Sequence, residues 1–318
     1  MKGKLKGVLY ELSSYARIPT KELGKRLKIS QQSASYLVRN LQQKGIIQEH
    51  STIIDPAKLG YITVLVYFNY IDLTPKTIEE AINYLKNVDA VVSIAELAQG
   101  YDLLAMFCVP NLSLFNKIKR DFLQNYRGKI SVAETHPVMV RHLYPRKYLA
   151  SKKPSQEYVI SGDREVLPIS ATEKQVLSSL WDHPVHSIID IHLQTKLNPK
   201  TIVKIKKKLE EQKVIRGYTT LFDFPQVGIG RQLIQLNSEH LSADEDRKLL
   251  HIAFTHLQIV SLTRVIGNFD LLVETEGNEQ ERAAVLRGLR QEFSFHKYKV
   301  LDVGKVLKDK FVPRSALQ

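Results

Sequence analysis

The chain has 318 residues, of which 43% are hydrophobic and one is cysteine, and its formal net charge is +13. This length favours two or more domains, and the lone Cys108 excludes a disulfide within the chain, which is typical of a reducing, cytoplasmic protein. The longest apolar runs, residues 61–68 and 103–109, are too short to cross a bilayer, and the N-terminus lacks the apolar core of a secretory signal. The excess of basic residues favours a polyanionic partner, most often nucleic acid.

The first 50 residues predict three short helices. The first covers residues 5–15, Thr20 is predicted to cap the second, and Ser30 caps the third. Apolar side chains recur at every third or fourth position of the third helix and form a buried stripe. A short helix, a tight turn and a helix with a polar outer face are the helix-turn-helix (HTH) pattern.

The outer face of the third helix carries side chains suited to DNA. Amides can bond to adenine, a guanidinium suits guanine, and hydroxyl groups reach phosphates. The residues predicted to bind DNA here are Gln31, Gln32, Ser33, Ser35, Tyr36, Arg39 and Asn40. The alternative interpretation is a solvated face of a helical bundle.

The remainder of the first half predicts a sheet with two helices. A wing or hinge strand follows the third helix, and then the pattern alternates as β-α-β-β-α-β, which is the ferredoxin-like arrangement. The predicted strands are residues 61–70, 91–98, 102–109 and 128–140, and the predicted helices are residues 75–87 and 111–126. The fold class is therefore α+β.

The whole pattern occurs twice. Residues 92–107 and 260–275 share Val-Ser at their start and Asp-Leu-Leu at 102–104 and 270–272, and the offset of 168 between them holds from residue 8 to residue 149 without an insertion. One offset held over this distance predicts two tandem units. The predicted domains are a first HTH domain at 1–50, a first sensing domain at 51–149, a linker at 150–170, a second HTH domain at 171–218 and a second sensing domain at 219–314.

The second unit keeps the layout of the first but changes the chemistry of the outer face. Asn198 caps the third helix of this unit, and Pro199 occupies its first position. Lysine binds phosphate as a point charge and discriminates poorly between bases. We hypothesise that the first HTH domain specifies sequence and the second adds electrostatic affinity, the alternative being a plain solvated face. The residues predicted to bind DNA here are Lys200, Thr201, Lys204, Lys207 and Lys208.

The repeated stretch, residues 92–107 and 260–275, is the central hairpin of each sensing domain. Asp102 and Asp270 are predicted to close its turn, where Gly100 and Asn268 tolerate a positive φ. Turn chemistry accounts for these aspartates, and a ligand-binding role is the second interpretation.

Four motifs together resemble the Lrp/AsnC family, the leucine-responsive or feast/famine transcription regulators. They are the polar helix at 30–41, Lys-Gly-Ile-Ile at 44–47, Ile-Ile-Asp-Pro-Ala-Lys-Leu-Gly at 53–60 and Gly-Tyr-Asp-Leu-Leu at 100–104. The resemblance covers almost the whole chain, once in each unit. It implies a transcription regulator that binds double-stranded DNA and self-associates through the sheets of its sensing domains.

The resemblance also implies a small-molecule effector, such as an amino acid, bound near the hairpin. The positions carried over are Gln99, Gly100, Tyr101, Asp102, Gly267, Asn268, Phe269 and Asp270. This chain departs from the family in two ways. It has two units where the family usually has one, and Gln99-Gly100 stands where the family hairpin usually begins Thr-Gly. The sequence does not decide whether the two sheets pair within one chain or between two chains.

Three alternatives stay open. The same layout resembles siroheme decarboxylases, enzymes of haem synthesis that occur as fused pairs, although their Tyr-Asn-Leu-Trp-Phe pattern is absent at Tyr101 and Phe269. A structural or adaptor role without DNA is the second. The third is a metal site at His183, His186 and His192, but capping or surface roles are favoured because no cysteine or matching carboxylate joins them. We predict no cofactor, no metal, no catalytic residues and no membrane partner.

Overall fold

The computed structural model describes residues 3–150, 156–238 and 241–318. The first half forms α1 (Gly3–Ser14), α2 (Thr20–Leu27), α3 (Gln31–Gln43), β1 (Ile47–Ile54), β2 (Ile62–Tyr70), α4 (Pro75–Asn87), β3 (Val91–Leu97), β4 (Leu103–Val109), α5 (Leu112–Asn125) and β5 (Ile130–Leu143). A short strand, β6 (Tyr158–Ile160), follows.

The second half then repeats the order of the first. Its elements are α6 (Ala171–Asp182), α7 (Ile188–Thr195), α8 (Pro199–Glu211), β7 (Ile215–Phe222), β8 (Gly230–Asn237), α9 (Ala243–Thr255), β9 (Ile259–Val265), β10 (Leu271–Gly277), α10 (Glu279–Glu292) and β11 (Lys297–Asp309). The α+β fold class, with three helices and a βαββαβ domain in each unit, is confirmed. Among the described residues, every helix is too short or too polar to span a bilayer.

Helix caps set the start of the helices that carry the polar faces. The Ser30 hydroxyl accepts a hydrogen bond from the backbone N–H of Ser33 at 3.1 Å, and the Asn198 side chain accepts one from the N–H of Lys200 at 2.9 Å. The prediction that Thr20 caps the second helix is wrong. Pro19 holds the extended backbone that an N-cap needs, with φ −62° and ψ 140°, so Thr20 is already the first helical residue.

Eight strands close into an antiparallel barrel. Their order is β2-β4-β3-β11-β8-β10-β9-β5, and pairing of β5 with β2 completes the circle. Each unit supplies four strands, and the units meet where β3 pairs with β11 and where β5 pairs with β9. The sheets of the two sensing domains therefore pair within one chain, which answers the question that the sequence left open.

The described part of the segment between the units contributes a strand to the barrel sheet. Residues 151–155 of the predicted linker lie outside the described residues. Within the rest of it, β6 pairs with the end of β5, with Arg141 opposite Ile160 and Leu143 opposite Tyr158. The connection thus extends the sheet by one short strand before α6 begins.

Side chains alternate between the two faces of each strand, and this separates two kinds of core. In the first unit Val66 and Phe68 of β2 pack with Phe122 of α5 and with residues of α4. The intervening Leu65 and Tyr67 belong to a different cluster, which draws residues from both units. The helices therefore cover the outside of the barrel, while its interior is shared by the two units.

A second, two-stranded sheet joins the units outside the barrel. β1 pairs with β7 antiparallel, with Ile47 opposite Phe222 and Ile54 opposite Ile215. The hydrogen bonds at its ends are reciprocal, because the N–H of Asp55 donates to the Val214 carbonyl and the N–H of Asp223 to the Ile46 carbonyl, both at 2.9 Å. Each donor and acceptor is displaced by 168 from its counterpart, which is the pattern of a two-fold interface.

Candidate nucleic-acid interface

In the first HTH domain, α3 presents a polar outer face. Its buried positions are Ala34 and Leu41, and Tyr36 on the opposite side is 65% exposed. Arg39 is also exposed and makes only a 3.4 Å contact from Nε to the backbone carbonyl of Ser35. Of the other predicted DNA-binding residues, Gln31, Gln32 and Ser33 are exposed, while Ser35 and Asn40 are half-buried. The seven residues therefore share one helix, and five of them are open to a partner.

In the second HTH domain, α8 exposes all five residues predicted to bind DNA. Two of the lysines contact carboxylates: Lys207 Nζ lies 3.5 Å from Glu211, and Lys208 Nζ lies 2.6 Å from Glu173. Lys200 and Lys204 form no ion pair with any described residue. Val203, on the same face, is 50% exposed, so this face combines positive charge with an apolar side chain and lacks the amides of α3.

The two HTH domains are joined to each other by more than β1 and β7. Arg17, in the turn after α1, donates to the backbone carbonyls of Pro184 and His186, the latter at 2.6 Å. The end of α1 also contacts β7, through Ala16 N–H to the Tyr218 carbonyl at 2.9 Å and through the Thr220 hydroxyl to the Leu12 carbonyl at 3.0 Å. These contacts set the relative position of α3 and α8.

The hairpin aspartates have equivalent structural roles in the two units. Asp102 Oδ2 accepts the N–H of Tyr70 at 2.7 Å, and Asp270 Oδ1 accepts the N–H of Ser238 at 2.8 Å. Gly100 has the expected positive φ, +80°. The prediction of a positive φ at Asn268 is wrong, because the second turn is displaced by one residue and the positive value, +151°, is at Gly267.

The two hairpins meet at one end of the barrel. The ring of Tyr67 lies 4.8 Å from that of Tyr101 and 6.2 Å from that of Phe269, and the His136 ring lies 4.1 Å from Phe269. A Cβ at Gly267 would lie 2.1 Å from His136 Nδ1, so only glycine fits there. The structure thus brings the aromatic hairpin residues of both units together. The other predicted effector residues are exposed at Gln99, Gly100, Gly267 and Asn268 and half-buried at Asp102 and Asp270.

A buried charge network inside the barrel was not found by sequence reasoning. Glu276, which has no exposed surface, accepts hydrogen bonds from Arg146 at 2.7 and 3.1 Å, from Arg231 at 2.9 and 3.2 Å and from the Tyr148 hydroxyl at 2.7 Å. Burial opposes ionisation, but the two guanidinium groups prevail and lower the pKa of Glu276 to about 2. In the sequence, this network is indicated only by a carboxylate inside a predicted strand. The partners of that carboxylate lie far away along the chain and are not apparent from local patterns.

The three histidines of the second HTH domain do not form a cluster that could bind a metal ion. The rings of His183 and His186 stack at 4.2 Å, and Nδ1 of His192 lies 2.7 Å from the Leu197 carbonyl. Within residues 3–150, 156–238 and 241–318, no group of three metal-ligating side chains is close enough to hold a metal.

The chain is similar to archaeal regulators of transcription. The sequence profile of the MarR family matches residues 6–52. The HTH-type transcriptional regulator LrpA of Pyrococcus horikoshii is 37% identical over 134 residues, which are 42% of this chain and 91% of that protein. The HTH-type transcriptional regulator Ptr1 of Methanocaldococcus jannaschii is 30% identical over 110 residues, which are 35% of this chain and 73% of that protein.

A solved structure is similar over the full length. The siroheme decarboxylase NirDL superposes with a TM-score of 0.60 over 98% of this chain and 94% of that chain, at 14% sequence identity. At this level of identity the likeness concerns the fold alone, which the two chains share over nearly their full lengths.

Proposed function

Because the chain belongs to the Lrp/AsnC family of HTH transcription regulators, we propose that it binds double-stranded DNA with sequence specificity through two unlike HTH domains. The observation that carries the proposal is the outer face of α3, where amide, hydroxyl and guanidinium groups are exposed on a capped helix. Such groups can hydrogen-bond to base edges in the major groove. Regulation of transcription is the role that follows from such binding.

The two HTH domains contribute differently in this proposal. α3 supplies base contacts through Arg39 and the glutamines, and α8 supplies phosphate contacts through Lys200 and Lys204. The ion pairs of Lys207 and Lys208 make these two lysines weaker contributors, since part of their charge is already compensated. A DNA site recognised by two different faces is asymmetric.

We further propose that the chain acts as a covalent equivalent of a dimer. The reciprocal hydrogen bonds at the ends of β1 and β7 support this, as does the pairing of β3 with β11 and of β5 with β9. Tethering holds the two units at a local concentration of roughly the millimolar range. Further self-association of whole chains and an effector at the hairpins stay predictions.

A siroheme decarboxylase is the second candidate, because NirDL shares the fold over the full length. The cavity inside this barrel argues against it, since its volume is about 150 Å³. Drug-sized ligands occupy pockets of about 300–1,000 Å³, and a tetrapyrrole needs the upper part of that range. We therefore propose a regulator rather than an enzyme.

The test is a selection of DNA from a random library by the full chain, followed by binding measurements at several salt concentrations. We expect enrichment of an asymmetric sequence. Arg39→Ala should lower affinity for that sequence by about 1–3 kcal/mol and leave random DNA nearly unaffected. Lys204→Ala should weaken both equally and reduce the slope of log K against log salt by about 0.9.

Lys305→Ala, on β11, is the matched control for loss of a lysine and should change neither quantity. Absence of any salt-dependent binding would overturn the proposal. If instead Arg39→Ala weakened all DNA equally and Lys204→Ala abolished sequence preference, the roles assigned to the two helices would be wrong.

A further inference from the structure

A cavity of about 150 Å³ lies inside the barrel. All eight barrel strands contribute side chains to its wall. One end is covered by residues that join the two HTH domains, namely Ser13 and Ser14 of α1, Ser51 and Ile53 of β1, and Thr219, Thr220 and Leu221 of β7. The cavity thus extends from the interior of the barrel to the sheet that holds the HTH domains together.

The wall of the cavity is apolar on one side and charged on the other. Met106 of the first unit occupies the position that Glu274 occupies in the second, 168 residues later, and both line the cavity. Arg141 and Asp309 are likewise equivalent positions, with a guanidinium group in one unit and a carboxyl group in the other. A ligand that suits this wall has one polar end and one aliphatic end.

Arg141 has hydrogen-bonding capacity that the protein does not use. Its Nε lies 3.5 Å from the Ser261 hydroxyl and its Nη2 lies 3.6 Å from Glu274 Oε2, both at or beyond the limit of a hydrogen bond. No described residue forms a shorter hydrogen bond or ion pair with this guanidinium, although the group carries five N–H donors. In contrast, Arg146 and Arg231 both bind Glu276 at 3.2 Å or less.

The charges around the cavity favour an anion. Three guanidinium groups, from Arg141, Arg146 and Arg231, face the carboxyl groups of Glu274, Glu276 and Asp309. Burial raises the pKa of Asp309, which favours its neutral form. Arg141 is the guanidinium whose nearest carboxylate, that of Glu274, lies 3.6 Å away. One negative charge on a ligand would give it a closer partner, whereas the second charge of a dianion would stay buried without one.

We propose that this cavity binds a small monocarboxylate with a short aliphatic body. The planar fork of the Arg141 guanidinium matches a carboxylate, and the carbon chain lies against Leu104 and Met106. The volume sets the size, since an engineered cavity of about 150 Å³ in another protein accommodates benzene, and a ligand of about six non-hydrogen atoms therefore fits.

The experiment is calorimetric titration of the full chain, without DNA, using probes that share one carbon skeleton. Butyrate, 2-oxobutyrate and 2-aminobutyrate carry the carboxylate, n-butylamine carries the opposite charge, and inorganic phosphate tests a compact polyanion. We expect at least one of the three carboxylates to bind and the amine and phosphate not to bind. A preference for 2-aminobutyrate would show that Asp309 accepts an ammonium group, and a preference for butyrate would show that it does not; both support the site.

Variants locate the binding. Arg141→Met should weaken it by about tenfold or more, because a charge-assisted bidentate contact is lost. Arg127→Met, an exposed arginine, removes the same charge and should not weaken it. Ala95→Leu narrows the apolar side of the cavity and should block binding with Arg141 intact, which covers the case in which Arg141→Met does not fold.

Failure of all three carboxylates to bind the folded wild-type chain at millimolar concentration would overturn the proposal, as would equal losses in the Arg127 and Arg141 variants. An effect of the ligand on DNA binding rests on the proposed function and is measured separately, by adding the carboxylate to the DNA titration. Ligand binding by a chain that binds no DNA would uphold the site and refute the proposed function.

Discussion

Glu276 is a fully buried charge of the barrel. Its carboxylate has no exposed surface and is held by Arg146, Arg231 and Tyr148. Glu276→Gln leaves two buried guanidinium groups short of a counter-charge, so we expect a loss of about 3–5 kcal/mol in the free energy of unfolding. Urea denaturation at neutral pH measures it. Glu80→Gln, at an exposed pair 3.9 Å from Lys76, should cost about 0–1 kcal/mol.

The same carboxylate also predicts acid sensitivity. Its pKa in the folded chain is about 2, below the ordinary 4.5. The ionised form therefore stabilises the fold above pH 4.5, and this stability is lost as the pH falls from there towards 2. In the Gln variant this component of the acid-induced loss should be missing. A variant with wild-type stability at neutral pH and an unchanged acid profile would show that the network does not support the barrel.

Asp55 shows what the sequence could reveal about a single residue and what it could not. The repeat pairs it with Asp223, but their surroundings differ. Asp55 is buried, and its Oδ2 accepts from Arg216 at 2.7 Å, whereas Asp223 accepts from the side chain of Gln226 at 2.8 Å. The counterpart of Arg216 in the first unit is Gln48, which has no charge to offer. Equal positions along the chain thus do not imply equal partners.

At the scale of elements, local patterns predicted most of the fold. The helix predicted at 75–87 is α4, Pro75–Asn87, since apolar spacing and a terminal proline are both local signals. The partner of β1 was not predictable. Alternation of apolar residues indicates that a strand has a buried face, but it does not identify the neighbouring strand. Here the strand that pairs with β1 is β7, from the other unit. For the same reason, helical periodicity predicted the exposed face of α3. It could not predict that Tyr101 and Phe269 meet at Tyr67, because this contact joins residues of both units.

Two helical glycines give a matched test of the packing of their helices. A Cβ at Gly288 of α10 would meet nothing within 4 Å, so Gly288→Ala should stabilise the chain by roughly 0.5–1 kcal/mol through helix propensity. A Cβ at Gly24 of α2 would lie 2.9 Å from the backbone carbonyl oxygen of Ile29. Gly24→Ala should therefore destabilise by about 1–3 kcal/mol, since backbone cannot easily move aside. Urea unfolding of both variants measures the sign of the change in the free energy of unfolding. A stabilising Gly24→Ala would disprove the tight turn between α2 and α3.

At the scale of the whole molecule, the two units differ on the walls that they present to the shared cavity. The barrel is closed by equivalent pairings, β3 with β11 and β9 with β5, yet at equivalent positions of its cavity wall one unit carries Met106 and the other Glu274. Two identical chains would present the same wall twice. A fused chain can carry a charged wall and an apolar wall in one cavity, and an amide-bearing and a lysine-bearing helix on one DNA-facing surface.

Closure of the barrel within one chain predicts how stability depends on concentration. When a fold needs two chains, its unfolding midpoint rises with protein concentration by mass action. Here both junctions between the units, β3 with β11 and β5 with β9, lie within the same chain. We therefore expect the thermal midpoint to stay constant over about a hundredfold range of concentration. Differential scanning calorimetry at the two extremes, with sedimentation velocity under the same conditions, provides the measurement. A midpoint that rises steadily with concentration, together with a dimer in sedimentation, would mean that the sheets pair between chains and that the barrel described here is exchanged between two copies.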